Sequence, residues 1–305
     1  MSRISSTPSS RLWISSILFK SKALVRSASR RETVATKLGI LAGGGPLPGR
    51  IVQSCLAAGR EVFVIAFENE SDPKTCEGVP HVWMPLGKVG ATINRLKAEN
   101  CTDVVLAGPV RRPSFSKLKP DMRAIKLLGK IRKAAGQGDD AILSVLVEEL
   151  ESENFRVVGA DDLLGDVVAP EGILSDRVPG EIDQKDIDLG VRVARALGAL
   201  DVGQAVVVQQ GVVLGVEAIE GTDALLGRCQ DLKREGQGGV LVKLKKTQQE
   251  RRADLPTIGA DTVRHAAEAG LNGIAVEAGQ SLILDRAEVV AEANRLGLYV
   301  AGIKA

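Results

Sequence analysis

Two carboxylates and a hydroxyl occur close together in the stretch 220–223, which reads Glu-Gly-Thr-Asp. The apolar run before it, 205–219, is interrupted by a Gln-Gly turn and predicts two strands. A helical pattern follows, for which Thr222 suits the N-cap and Asp223 suits the first turn. Carboxylates at the carboxyl ends of strands are also typical of ligand and metal sites in α/β proteins. The stretch therefore leaves two interpretations open, a helix cap and a metal-binding catalytic acid.

A second polar segment, 243–259, lies between a predicted strand at 240–244 and a helix predicted to begin near Asp261. Its cations and carboxylates could hold an anionic ligand and its metal, although most charge runs are simply solvated. Because this segment and 220–223 both follow strands, we expect them to open on the same edge of a sheet.

Three glycines at 43–45 follow a predicted buried strand and precede a predicted helix, an arrangement that lets backbone N–H groups approach a phosphate. Gly43 and Gly45 fit the first two positions of the dinucleotide-binding pattern G-x-G-x-x-G, but Pro48 occupies the third. We favour a phosphate-bearing ligand, because three glycines exceed what a turn needs. The alternative is a tight turn that binds nothing.

Two further loops in this half of the chain carry charge. Arg112 follows the predicted strand 103–107 and could hold a phosphate through two hydrogen bonds, or could be a solvated charge. Asp139 and Asp140 open a predicted helix, where they could cap the helix or contact a sugar hydroxyl.

Alternating strands and helices predict an α/β chain of two domains. We expect an N-terminal Rossmann-like parallel sheet at 37–169 and a C-terminal mixed α/β catalytic domain at 182–305. A linker at 170–181, rich in turn residues, joins them. Residues 1–36 form a basic Ser/Arg-rich extension for which no structure is predicted.

Composition excludes several classes of protein. The extension holds seven Arg or Lys and one acid, so the rest of the chain is mildly acidic although the net charge is +2, which argues against nucleic acid as a partner. No apolar run reaches about 18 residues, so no transmembrane helix is expected. The cysteines lack paired spacing and two histidines are too few for zinc, so we expect reduced, small apolar residues. The cysteines are Cys55, Cys76, Cys101 and Cys229.

The extension 1–36 has three interpretations: an organelle transit segment, a basic stretch that contacts anionic lipid, or sequence upstream of the true start. We favour a start near Val34 or Lys37, because the α/β pattern begins abruptly at Lys37. This predicts a cytoplasmic protein, peripheral on the inner membrane, with organelle targeting as the alternative.

An ordered set of motifs resembles the LpxI family, UDP-2,3-diacylglucosamine pyrophosphatases of lipid A biosynthesis. Each motif alone is weak, but their order from about Lys37 to near the C-terminus is specific. The motifs are GILAGGGPLP at 39–48, RP at 112–113, GDDAIL at 138–143, DVGQ at 201–204, EGTDA at 220–224 and DLPTIG at 254–259.

The resemblance implies Mg²⁺-dependent hydrolysis of UDP-2,3-diacylglucosamine to UMP and 2,3-diacylglucosamine 1-phosphate (lipid X), with water attacking the phosphorus on the sugar side. It implies a substrate bound between two domains, and it places the family's essential aspartate at Asp223. The expected partner is the glycolipid nucleotide substrate at a membrane surface. Both a monomer and a homo-oligomer remain open.

This chemistry assigns roles to individual residues. Asp223, Lys243 and Arg252 are the predicted catalytic residues, since cations stabilise charge that develops on phosphates. Mg²⁺ prefers one or two protein carboxylates, so its predicted ligands are Asp223 with Glu220 or Asp254. The predicted substrate-binding residues are Gly44, Gly45, Leu47, Arg112, Asp139, Asp140, Thr222, Lys246 and Gln249.

Two other classes of function remain open. An NAD(P)-dependent oxidoreductase would explain the glycine turn, but Pro48 and the absence of an evident hydride-transfer constellation in the sequence argue against it. A non-catalytic nucleotide- or lipid-binding protein would leave the polar residues around Asp223 without a role. Nicotinamide titration and Mg²⁺-dependent release of UMP distinguish the three.

Overall fold

A computed structural model of the chain describes residues 36–111, 119–134, 139–247 and 249–305. For 131–134 and 139–141 it describes the backbone alone. The predicted extension therefore lies outside the described residues, apart from Thr36.

The first half of the chain forms a parallel five-stranded sheet in the order β3-β2-β1-β4-β5. The predicted parallel sheet is thus confirmed. Its strands are β1 (Leu38–Ala42), β2 (Val62–Phe67), β3 (His81–Met84), β4 (Asp103–Ala107) and β5 (Arg156–Val157). Its helices are α1 (Leu47–Ala57), α2 (Val89–Ala98), α3 (Met122–Ala134), α4 (Asp139–Ser152) and α5 (Ala160–Leu163), with a 3₁₀ turn at Pro73–Cys76.

Strand β1 is buried along its whole length, because apolar clusters cover both faces of this sheet. Leu38 and Ile40 belong to one cluster and Leu41 to the other, as the alternation of side chains along a strand requires. This explains why the strand reads as a continuous apolar run in the sequence.

The strand order reverses between β1 and β4, so the loops after these two strands meet at the point where open α/β sheets bind ligands. The Gly43 amide donates to the Ala107 carbonyl and the Gly44 amide to the Pro109 carbonyl, both at 2.8 Å. A Cβ atom on Gly43 would lie 2.5 Å from the Gly108 oxygen. Close packing of the two loops therefore accounts for glycine at position 43.

The second half forms a six-stranded mixed sheet in the order β6-β13-β11-β9-β7-β8. Strands β9, β11 and β13 are parallel, whereas β7 is antiparallel to both β8 and β9. The predicted mixed sheet is confirmed. The strands are β6 (Gly172–Ile173), β7 (Ala205–Gln209), β8 (Val212–Val216), β9 (Val240–Lys243), β11 (Gly273–Glu277) and β13 (Tyr299–Ile303), with β10 (Thr257–Ile258) and β12 (Leu282–Ile283) paired separately. The helices are α6 (Glu181–Ala199), α7 (Thr222–Gln230), α8 (Ala260–Glu268) and α9 (Arg286–Leu296).

The segment predicted as a linker, 170–181, contains β6, which pairs antiparallel with β13. Helix α6 begins at Glu181, the last residue of this segment, where the Asp183 carboxylate accepts a hydrogen bond from the Gly180 amide and completes the first turn. The segment therefore supplies one strand and the capped start of a helix.

Apolar contacts join the two halves of the chain. Leu255, Leu282 and Leu284 belong to the same buried cluster as residues of β1 and α1. Leu255 lies in the polar segment 243–259, so this segment is anchored against the first sheet. All four cysteines are free and buried, as predicted. No helix in the described part of the chain is long and apolar enough to cross a membrane.

Substitution of Gly108 tests the loop packing. Its φ is +84°, and an added Cβ would lie 2.1 Å from the Gly44 oxygen. Gly59 has a similar φ of +69° with no atom within 4 Å of an added Cβ, so it is a matched control for the backbone strain alone. We expect Gly108→Ala to lower the free energy of unfolding by about 1–3 kcal/mol more than Gly59→Ala does. Urea unfolding of both variants measures this difference, and equal losses would contradict the packing argument.

Candidate active site

The carboxyl ends of three strands meet at one edge of the second sheet. Lys243, the last residue of β9, pairs with Ala205 at the start of β7, and Val216 at the end of β8 pairs with the next residue of β7. Glu277 ends the parallel neighbour β11. The start of α7 and the polar segment 243–259 therefore open on the same edge, as expected from the sequence.

A chain of hydrogen bonds crosses this edge. Lys243, buried at 6% exposure, donates to the Thr222 hydroxyl and to the Thr257 carbonyl, both at 3.0 Å. The Thr222 hydroxyl donates to one carboxylate oxygen of Glu217 at 2.6 Å, and the other oxygen accepts from the backbone amide of Gln204 at 3.1 Å. Two buried opposite charges are thus joined through one hydroxyl.

The prediction that Thr222 is the helix N-cap is wrong. Gly221, with φ +82°, occupies the N-cap position of α7, and Thr222 is the first helical residue. The Thr222 hydroxyl has one proton, which it gives to Glu217, and its lone pair accepts from Lys243. The side chain is therefore committed to the buried chain of hydrogen bonds instead of the helix end.

Burial lowers the pKa of Lys243, while the negative charges of Glu217, Asp254 and Asp223 oppose this effect. Burial raises the pKa of Asp254, against a hydrogen bond from Gln249 and the charges of Lys246 and Lys243. The opposite charges of Lys243 and its acidic neighbours thus favour each other's charged forms, against the effect of burial.

Asp223 lies in the first turn of α7, and its side chain is 71% exposed. One carboxylate oxygen lies 3.2 Å from Nδ1 of His265 on α8. A cavity of about 200 Å³ between the two helices is lined by Asp223, His265, Gln230 and Glu268. The carboxylate is thus open to solvent and to a ligand.

Lys246 and Gln249 lie on the loop beside this edge. The Gln249 side chain is buried, donates to Asp254 at 2.6 Å and accepts from the Lys246 amide at 3.1 Å. The Lys246 ammonium pairs with Asp201, which belongs to the loop before β7. The structure therefore brings these two predicted substrate-binding residues to the same edge as Thr222.

Glu220 and Arg252 are committed to other partners. Glu220 pairs with Arg228 of α7 at 2.8 Å. Arg252 bonds to Glu250 at 3.0 Å and to Glu151 of α4 at 2.5 Å, and these hydrogen bonds raise its pKa. Arg252 therefore connects the loop to the first half of the chain, and its catalytic role stays a prediction.

The predicted metal ligands Asp223, Glu220 and Asp254 differ in their surroundings, and their metal role stays a prediction. Among the described residues, no group of three or more His, Cys, Asp or Glu side chains could hold a metal ion together. Glu220 faces Arg228, and Asp254 is bound by Gln249. The Asp223 side chain is 71% exposed, against 28% for Glu220, so Asp223 is the more open of these two to a Mg²⁺ ion bound chiefly by substrate phosphates and water.

The predicted residues of the first half are only partly described. Gly44 uses its amide within the protein, Gly45 has φ +70°, and Leu47 begins α1. Together with Gly43, whose amide donates to the Ala107 carbonyl, all three glycines are therefore required by the turn itself or engaged in it. Arg112 lies outside the described residues, and for Asp139 and Asp140 only the backbone, in the first turn of α4, is described.

Sequence reasoning missed Glu217, Gln204 and His265. The apolar pattern places Glu217 inside a strand, although a single carboxylate within the apolar run 212–219 was an available sign. His265 gave no such sign, because its nearness to Asp223 depends on how α7 packs against α8.

These features define a two-domain α/β protein with the charged sheet edge typical of an enzyme. Family models of the LpxI N-terminal and C-terminal domains match residues 37–167 and 170–301. The chain is 44% identical over 273 residues to UDP-2,3-diacylglucosamine pyrophosphatase LpxI of Caulobacter vibrioides, covering 88% of this chain and 97% of that protein. The chain belongs to the LpxI family.

Likeness to solved structures is weak. UDP-glucose 4-epimerase of Thermus thermophilus, in complex with NAD, is 14% identical with a TM-score of 0.29, covering 88% of this chain and 86% of that one. N5-carboxyaminoimidazole synthase of Aspergillus clavatus is 16% identical with a TM-score of 0.24, covering 65% and 44%. Such values carry no argument about function.

Alkaline pH tests the burial of Lys243. Its pKa is lower in the folded protein than its ordinary value of 10.5, so between these two values the unfolded chain binds more protons. The contribution of Lys243 to the free energy of unfolding therefore rises with pH across that window. We expect the free energy of unfolding of the wild type, relative to Lys243→Met, to increase as the pH rises toward 10.5.

Urea unfolding at three pH values across this window measures the effect. Lys185→Met, on the exposed side of α6, controls for the loss of one surface charge. A constant difference between wild type and Lys243→Met would contradict the inferred burial of the charge.

Proposed function

We propose that this chain hydrolyses the pyrophosphate bond of UDP-2,3-diacylglucosamine to UMP and 2,3-diacylglucosamine 1-phosphate in lipid A biosynthesis. The observation that carries the proposal is the 44% identity over 97% of the length of the Caulobacter pyrophosphatase. The exposed Asp223 near the buried Lys243 supports the same chemistry.

The reaction needs positive charge near two linked phosphates and a group that orients water. Lys243 is held by two fixed hydrogen bonds at the sheet edge, and Lys246 lies on the adjacent loop. Preorganised charge stabilises the phosphate oxygens in the transition state without rearrangement during the reaction. Asp223 orients the attacking water through its exposed carboxylate and accepts its proton.

Mg²⁺ is the proposed cofactor, with Asp223 as the ligand that this chain supplies. When bound, the ion offsets phosphate charge and increases the acidity of bound water. The proposed attack is on the phosphorus of the sugar side. Because the substrate is a two-chain lipid, the enzyme acts at a membrane surface.

We propose that the first sheet binds part of the same substrate where its strand order reverses, between β1 and β4. The loop after β1, with Gly45 and Leu47, and the loop after β4 meet there. Gly44, Arg112, Asp139 and Asp140 remain proposed substrate contacts of the first half, and Lys246 and Gln249 those of the second half.

Incubation with UDP-2,3-diacylglucosamine tests the activity. We expect UMP and the lipid 1-phosphate in equal amounts, with turnover lost in EDTA and restored by Mg²⁺. In ¹⁸O-water, mass spectrometry should find the label in the lipid 1-phosphate, and label in UMP would overturn the proposed site of attack. Absence of UMP in the presence of Mg²⁺ would overturn the function itself.

Removal of the Asp223 carboxylate tests its role. We expect Asp223→Ala to lower kcat by at least about a thousandfold, because water loses its orienting base and Mg²⁺ its protein ligand. The folded state should persist, since the side chain is largely exposed. Circular dichroism and equilibrium binding of the substrate check the fold and the site.

Asp231→Ala is the matched control, because Asp231 is an exposed acid just after the same helix. Its kcat should stay within about threefold of wild type, as expected for a surface substitution remote from a functional site. Activity of Asp223→Ala similar to this control would refute the assignment.

A further inference from the structure

Glu217 is a buried acid that the chemistry above does not use. It follows β8 with 6% of its surface exposed, and its amide donates to the Ala205 carbonyl at 2.8 Å. A Cβ atom on Gly203 would lie 2.0 Å from the Glu217 carbonyl oxygen, so the backbone here is tightly enclosed. Burial of a carboxylate is costly unless its oxygens accept hydrogen bonds, and both do.

The direction of the hydrogen bonds is fixed by the groups themselves. An ammonium only donates, so Thr222 must accept from Lys243, and its one proton must then go to an acceptor. An ionised carboxylate is an acceptor only, and Glu217 lies 2.6 Å away. The order Lys243 to Thr222 to Glu217 is therefore the arrangement that satisfies all three groups.

The segment between Glu217 and Thr222 has little packing of its own. Ile219 is 91% exposed, and Gly221 has φ +82° with no atom within 4 Å of an added Cβ. The Thr222 hydroxyl ties the end of this segment to the sheet through its bonds with Glu217 and Lys243, and Arg228 donates to the Val216 carbonyl and to Glu220 beside it. Asp223 is the next residue, and the restraint on Thr222 fixes the start of α7 that carries it.

We propose that Glu217 is a positioning residue of the hydrolysis, which acts through Thr222 to hold Asp223 and Lys243 in their reacting arrangement. This inference rests on the proposed function. The negative charge of Glu217 also opposes the lowering of the Lys243 pKa by burial. A displacement of about 1 Å at a reacting group can lower the rate a hundredfold, so the loss of this anchor should be seen in kcat.

Three substitutions test the anchor. We expect Glu217→Gln and Thr222→Val each to lower kcat at least about tenfold with KM within about threefold, whereas Thr222→Ser, which keeps the hydroxyl, should retain kcat within about threefold. The double variant Glu217→Gln/Thr222→Val should lose no more than the worse single variant, because both act through one chain of bonds.

Asp186→Asn is the matched control for a buried carboxylate. Asp186 is 1% exposed and accepts from the amides of Gln210 and Gly211 at the hairpin turn, at the opposite end of the same two strands. We expect this variant to lose stability but to keep kcat per folded molecule. If Glu217→Gln behaves in the same way, its role is structural and the inference fails.

Hydrogen exchange gives a readout independent of turnover. Amides of 221–226 should exchange faster in Glu217→Gln than in wild type, and those around β11 should not change. Unchanged exchange at 221–226 would overturn the positioning role even if kcat fell. Absence of UMP release by wild type would instead count against the proposed function, and the exchange result would still decide whether Glu217 anchors α7.

Discussion

The bond that Lys243 donates to the Thr222 hydroxyl connects the two parts of the candidate site. Lys243 ends a central strand of the second sheet, whereas Thr222 begins a helix that reaches the sheet through an exposed segment. Thr222 donates its own hydroxyl hydrogen to Glu217, so one hydroxyl satisfies both a buried ammonium and a buried carboxylate. Asp223 is the next residue of the chain, so the start of α7 sets the place of its exposed side chain.

The register of the mixed sheet makes that bond possible. Because β8 and β9 are both antiparallel to β7, their carboxyl ends meet at one edge. The parallel neighbour β11 adds Glu277 there, which bonds to Arg195 of α6 at 2.6 Å and to the Lys245 amide at 3.0 Å. The loop after β9 is therefore held at its start by the sheet, before it extends toward the first half of the chain.

The loop after β9 also joins the candidate site to the first half of the chain. Arg251 bonds to Asp161 at 2.8 Å and Arg252 to Glu151 at 2.5 Å, while Leu255 joins the apolar cluster of the first sheet. Exposed ion pairs of this kind contribute little to stability, so the apolar contact is the stronger link. Asp254 precedes Leu255, so a carboxylate beside the candidate site and the apolar contact with the first sheet are neighbours along the chain.

The sequence by itself determined the elements and the family. Apolar runs placed the strands at 103–107 and 240–244 within one residue of the observed bounds, and ordered motifs indicated the LpxI family, because both depend on neighbours along the chain. Only the tertiary structure decided that Thr222 forms hydrogen bonds with Lys243 and Glu217. It also decided that Glu220 and Arg252 form ion pairs with other residues, and that Asp223 lies beside His265. These outcomes depend on sheet register and helix packing, which bring together residues distant in sequence, and no local pattern encodes which of several nearby charges becomes the partner.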